Sequence, residues 1–298
     1  MKKITVYEVG PRDGFQNQKH YIEQETKLAI IDSLVRSGVD HLQVTSFMSP
    51  KAVPQMRDAA AVAQACCERY PALTLSALVP NLRGASNAWA AGIRRIFYVV
   101  SLSESHNLKN INRTHAQSML EFQSIRQTYP ELEITLDLAT TFGCPFEGRF
   151  PVEEILEFLQ GYVHAGIDAV DLCDTIGIAD PGQVRQVIAA VRHAFPALPV
   201  QVHIHDTRNM GMVNTLAAIE AGVTTVQSTL GGLGGCPFAP GASGNLATED
   251  LVFMLQRMGY ETGIRFEAIL AAAKKEWALL GEGNFSGHQM MITAKQCT

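Results

Sequence analysis

Eight short β-rich apolar runs alternate with longer stretches of helical spacing along the chain. The runs are Ile4–Val9, Val39–Ser46, Leu73–Val79, Arg95–Ser101, Glu133–Thr140, Asp168–Cys173, Val200–His205 and Thr224–Thr229. Helical periodicity follows each of the first seven, over Glu25–Ser37, Ala59–Arg69, Leu82–Ala91, Thr114–Thr128, Val152–Ala165, Pro181–Ala194 and Met212–Ala221. Leu246–Met258 follows the eighth after a loop. Four of the helical stretches end in a glycine just before the next run: Gly38, Gly92, Gly166 and Gly222. Glycine there suits the left-handed position that stops a helix. Strands joined through helices must run parallel with right-handed crossovers. Eight such units close into an α/β (β/α)8 TIM barrel. An open doubly wound sheet is the other parallel solution, but no Gly-x-Gly-x-x-Gly follows an early strand. The barrel domain is expected over residues 1–265. Residues 266–298, with helical spacing over Phe266–Leu279, form a short C-terminal helical extension of the same domain.

Composition narrows the function. The 298 residues carry a net charge of −5 with 24 Lys+Arg, which argues against a nucleic-acid surface. No apolar run approaches the ~20 residues of a membrane helix. Met1–Thr5 shows no secretory pattern. The six cysteines form no C-x-x-C pair, so free thiols in a reducing cytoplasm are expected.

Barrel enzymes of this class carry their chemistry at the C-terminal strand ends. Here those ends read Gly10-Pro11-Arg12-Asp13-Gly14, Ser46, Asn81, Ser101 and Ser103, Phe142-Gly143-Cys144-Pro145, Asp174-Thr175, His203-Ile204-His205-Asp206 and Gly231–Cys236. His203 and His205, two apart on a strand, point to one face. Together they can grip a cation or serve as polar histidines of a barrel layer. Asp13 and Asn245 would complete a mixed nitrogen and oxygen set suited to Mg²⁺ or Mn²⁺. Arg12, on a rigid turn, can stabilise a developing enolate or pair at the surface. Asp206 either pairs with Arg12 or Arg208 or caps its loop. Cys236, between glycines and a proline, is either a proton donor on a mobile loop or an inert thiol. Cys144 and Cys173 read as packing.

The blocks Val9–Asn17, Thr45–Lys51, Phe142–Gly148, Asp174–Gly177, His203–Thr207 and Gly231–Leu251 resemble the hydroxymethylglutaryl-CoA lyase family, from about Val6 to about Gly263. The resemblance implies a TIM barrel that cleaves a tertiary 3-hydroxyacyl-CoA by a retro-Claisen reaction. The parent substrate, 3-hydroxy-3-methylglutaryl-CoA, gives acetyl-CoA and acetoacetate. It further implies that Asp13, His203, His205 and Asn245 hold a divalent metal. Arg12, Asp13, His203, Cys236 and Glu249 would carry the catalytic roles, with Cys236 protonating the acetyl-CoA enolate. Gln16, Ser46, Asp174 and Thr175 would contact the acyl group, and Lys19 and Asn81 the CoA. A homodimer is expected of the clan. Three departures bear on the acyl group. Gln43 stands where the family usually has Glu, Asn209 where Gly is commoner, and the tail 284–298 diverges. Citramalyl-CoA or another branched 3-hydroxyacyl-CoA is therefore the alternative substrate. A condensing synthase, an aldolase and a non-catalytic barrel are the competing readings.

Overall fold

The computed structural model describes residues 2–235 and 244–292. Eight parallel strands close into a barrel in chain order. They are β1 (Thr5–Glu8), β2 (His41–Ser46), β3 (Thr74–Val79), β4 (Arg95–Ser101), β5 (Glu133–Ala139), β6 (Ala169–Asp174), β7 (Val200–Ile204) and β8 (Thr225–Ser228). β1 pairs with β8, Val6 opposite Val226, which seals the cylinder. The surrounding helices are α1 (Gln24–Ser37), α2 (Ala59–Arg69), α3 (Leu82–Ala90), α4 (Glu104–Ile111), α5 (His115–Thr128), α6 (Val152–Ala165), α7 (Pro181–Ala194), α8 (Gly211–Glu220), α9 (Thr248–Arg257), α10 (Phe266–Leu280) and α11 (His288–Met291).

The expected strands and helices appear within about two residues of their expected ends. The glycine stops hold: Gly38, Gly92, Gly166 and Gly222 have φ of 105°, 93°, 94° and 99°. α4 was not foreseen. It is capped by Ser103, just before its first residue, whose hydroxyl accepts from His106 N at 3.1 Å. Its sequence has few apolar residues, so periodicity is weak there.

Outward residues such as Leu136, Leu138, Val170 and Leu172 pack with the helices in one continuous apolar shell. The inward positions are more polar. Low in the barrel, Tyr7 meets Phe97 edge to face with ring centroids 5.3 Å apart. Above them lie Gln43, Asp171 and Gln227, all buried. β1 ends in one wide helical turn, Gly10–Gly14, closed by Phe15 N donating to Gly10 O. That turn brings Arg12 and Asp13 over the barrel mouth. α10 lies against α1 and α9. The stretch after it crosses back over the loop following β8, where Ser286 N and Gly287 N both donate to Gly231 O.

Candidate active site and metal cradle

A cavity of about 370 Å³ opens at the C-terminal end of the barrel. Its walls include Arg12, Asp13, Gln16, Thr175, His203 and His205 on one side. Met48, Leu78, Val99 and Ala139 supply an apolar wall, and Asp137 and Cys173 a polar floor.

β7 brings His203 and His205 together with their Nε2 atoms 3.0 Å apart. Asp13 Oδ2 lies 3.9 Å from His203 Nε2. One donor atom from each of Asp13, His203 and His205 fits within 4.8 Å of the others. Asn245 Nδ2 donates to Asp13 Oδ2 at 2.6 Å, so turning its amide presents Oδ1 to the same point. The protonation states suit metal donors. Burial alone would push the Asp13 carboxyl up, but Arg12 and both histidines hold it at about 2. Burial, with His203 beside it, lowers His205 to about 3, so its imidazole is neutral. A buried carboxylate and the neutral imidazole of His205, with His203 Nε2 close to both, form a donor set that fits a divalent ion.

Arg12 is buried, not the surface pair its neighbours allowed. Its guanidinium donates to Asp13 Oδ1 and, through Nε, to Gln43 Oε1. Gln43 Nε2 has no hydrogen-bond partner although it is fully buried. Gln16 Nε2 donates to Asp13 Oδ1 at 2.7 Å and steadies that carboxylate. Thr175 lines the cavity while its hydroxyl accepts from Thr140 N at 2.8 Å.

Other expected residues stand behind the cavity. Asp174 accepts from Ile178 N and Ala179 N and so holds the turn after β6; burial raises it to about 6. Ser46 ends β2, fully buried, with its hydroxyl unpartnered. Glu249 accepts from Gly231 N at 3.0 Å. Burial pushes it to about 8, and Glu8, also buried, accepts from the next amide, Leu230 N. These two carboxyls fasten the base of the glycine-rich loop. Asn81 caps α3, accepting from Gly84 N, and Lys19 is exposed beyond the first turn. Asp206 takes the capping role, accepting from Gly211 N at 2.6 Å. Asn209 has φ +57°, which explains how a residue other than glycine is tolerated there, since asparagine adopts that region most easily. Cys236 lies outside the described residues. Gly235 just before it lines the cavity, and its carbonyl accepts from Asn17 Nδ2 at 3.2 Å.

Cys173 is a correction. It lines the cavity rather than merely packing, and its thiol donates to Asp137 Oδ1 at 3.0 Å. Asp137, Asp171 and Gln227 were missed as site residues. Asp137 and Asp171 each lie between apolar neighbours and Gln227 follows Val226, so period-two alternation alone would have turned them into the barrel.

This arrangement defines a class: TIM-barrel enzymes in which a His-x-His pair and an acidic residue converge at the C-terminal ends of the strands. The chain belongs to the HMGL-like family, whose model matches residues 3–275. It is 42% identical over 275 residues to a hydroxymethylglutaryl-CoA lyase of Bacillus subtilis, covering 92% of each chain. It is 37% identical to an (R)-citramalyl-CoA lyase of Chloroflexus aurantiacus, covering 94% of this chain and 92% of that one. The structure of an HMG-CoA lyase from Acinetobacter baumannii in complex with coenzyme A and 3-methylmalate superimposes with a TM-score of 0.86 at 37% identity, covering 94% and 92%.

Proposed function

We propose that this carbon–carbon lyase cleaves 3-hydroxy-3-methylglutaryl-CoA to acetyl-CoA and acetoacetate. The observation that carries the reading is the convergence of Asp13, His203, His205 and Arg12 on one cavity wall. A divalent ion, Mg²⁺ or Mn²⁺, held by Asp13, His203, His205 and Asn245, would acidify the C3 hydroxyl and orient the distal carboxylate. Loss of the hydroxyl proton, toward the side of the cavity lined by Asp13 and His203, turns C3 into a ketone. The C2–C3 bond breaks and its electron pair passes into the thioester as an enolate. Arg12 faces the cavity and balances that negative charge. Cys236 delivers the proton that completes acetyl-CoA. Gln16, Ser46, Asp174 and Thr175 shape the acyl end, directly or from behind, and Glu249 supports the loop. Lys19 and Asn81 lie on the CoA side. A cytoplasmic homodimer acting in leucine degradation completes this reading. Among the described residues no helix is long and apolar enough to cross a membrane.

A second reading is favoured by the polar floor. Asp137 and Cys173 border the acyl cavity, and Gln43, at a position where the resemblance implies Glu, accepts from Arg12. Both point to a distal acid arm other than that of the hydroxymethylglutaryl group, as in citramalyl-CoA, whose carboxylate sits directly on C3. A side-by-side panel of 3-hydroxyacyl-CoA thioesters with Mg²⁺ decides between them. Faster release of acetoacetate from the hydroxymethylglutaryl thioester supports the first reading. Rapid cleavage of citramalyl-CoA alone replaces the substrate and keeps the chemistry.

A further inference from the structure

His203 is held from behind by a buried relay. Its Nδ1 lies 2.8 Å from Gln227 Oε1, and Gln227 Nε2 donates to Asp171 Oδ2 at 2.7 Å. His203, Gln227 and Asp171 are 6%, 2% and 0% exposed, so no solvent competes for these contacts. They come from three adjacent strands, β7, β8 and β6, whose register leaves little room for movement.

A primary amide has an acceptor at one end and donors at the other. Whichever end of Gln227 faces His203 therefore dictates where the imidazole proton sits. Asp171 decides which end that is. If the amide turned over, its oxygen would meet a carboxyl oxygen of Asp171 with no proton between them. In a dry interior that contact is unfavourable, and both donors of the amide would be misplaced. Burial and the neighbouring Asp137 push the Asp171 carboxyl up. Asp171 Oδ1 has no hydrogen-bond partner, so a proton taken up there leaves Oδ2 free to accept from the amide. The amide orientation is thus held whether or not Oδ1 carries a proton.

We infer that Asp171, acting through Gln227, locks His203 as the Nδ1–H tautomer and so aims the Nε2 lone pair into the cradle shared with Asp13 and His205. Asp171 and Gln227 are positioning residues, since neither lines the cavity. The consequence for metal affinity rests on the proposed ligand role of His203. The tautomer itself is a property of the metal-free chain, independent of which thioester is cleaved.

Long-range ¹H–¹⁵N correlation on metal-free protein labelled at histidine reads the tautomer, with His203→Gln assigning the signal. Mn²⁺ titration followed by electron paramagnetic resonance reads affinity without substrate. The wild type should show Nδ1–H at His203. Gln227→Leu should lose that signature and weaken Mn²⁺ binding about 10–100-fold, the usual cost of removing a partner that orients a ligand. The exchange variant Asp171→Asn/Gln227→Glu places the carboxylate against His203 and the amide behind it. It should restore Nδ1–H and bring Mn²⁺ affinity back to within about threefold of wild type, as expected when coupled neighbours are changed together. A wild-type His203 protonated on Nε2 would overturn the inference. So would Gln227→Leu that folds, keeps Nδ1–H and binds Mn²⁺ normally. If Gln227→Leu does not fold, the wild-type tautomer and the exchange variant decide it alone. A protein that passes both readouts but cleaves no thioester refutes the proposed reaction and leaves the relay intact.

Discussion

Arg12 and Asp13 are sequence neighbours that the turn after β1 sets to different tasks. Asp13 faces the histidine pair, while Arg12 reaches across to Gln43 and the cavity. Arg12→Gln removes the charge proposed to balance the enolate but keeps a hydrogen-bonding group. It should lower kcat about 10²–10³-fold with a much smaller change in KM, measured by steady-state kinetics at saturating metal. Cys236→Ser is a near-isosteric change that removes the more acidic proton donor. Its kcat should fall at least about 10²-fold, whereas turnover near wild type would strip the residue of its acid role. The residues of the mouth were legible because strand-end motifs gather there. The floor and the layer beneath it were not, because Asp137, Asp171 and Gln227 sit inside strands rather than after them. Leu136-Asp137-Leu138 and Val170-Asp171-Leu172 carry the alternation that turns the acid inward, once the apolar partners are given to the helices.

At the scale of elements, the glycine after a helix marks the strand boundaries most reliably. Gly38 shows why. Its φ is +105°, and a Cβ there would sit 2.5 Å from the Gly263 carbonyl oxygen. Gly38→Ala should therefore destabilise the protein by about 1–3 kcal/mol, read as a lower thermal midpoint with unchanged metal affinity. A midpoint equal to wild type would mean the backbone can relax around the methyl group. α4 escaped detection for a related reason. It is held by the Ser103 cap and by Asn107, whose side chain accepts from Ser101 N and donates to Ser118 Oγ, rather than by an apolar stripe. Polar anchoring of that kind leaves no periodic trace. The turn over Gly10–Gly14 was foreseen only as a rigid bend, since its wide helical form depends on contacts with β2 and the loop after β8.

The whole molecule stores carboxyl groups in places where the charged form is costly. Glu8 is raised to about 7 and Glu249 to about 8, chiefly by burial. Each holds a proton in the folded chain that the unfolded chain has already released above its ordinary value of 4.5. Stability is then greatest below that value and falls as pH rises through the folded values, by about 1.4 kcal/mol per group for each pH unit crossed. Thermal midpoints should decline between about pH 5 and about pH 8, and Glu249→Gln should flatten the decline. A midpoint that rises over that range in the wild type would contradict the protonated carboxyls. Metal acts in the opposite sense. An ion bound only by the folded barrel stabilises it by mass action, so Mn²⁺ should raise the midpoint of the wild type and leave His205→Ala unmoved. These properties converge on one claim, that the barrel mouth is a metal-dependent retro-Claisen site. The direct test is acetoacetate release from 3-hydroxy-3-methylglutaryl-CoA by the metal-stripped protein before and after Mg²⁺ is restored. Release that appears only with the ion, and is absent from His205→Ala in both conditions, is the predicted result. Equal release with and without the ion, or undiminished release by His205→Ala, would contradict the account.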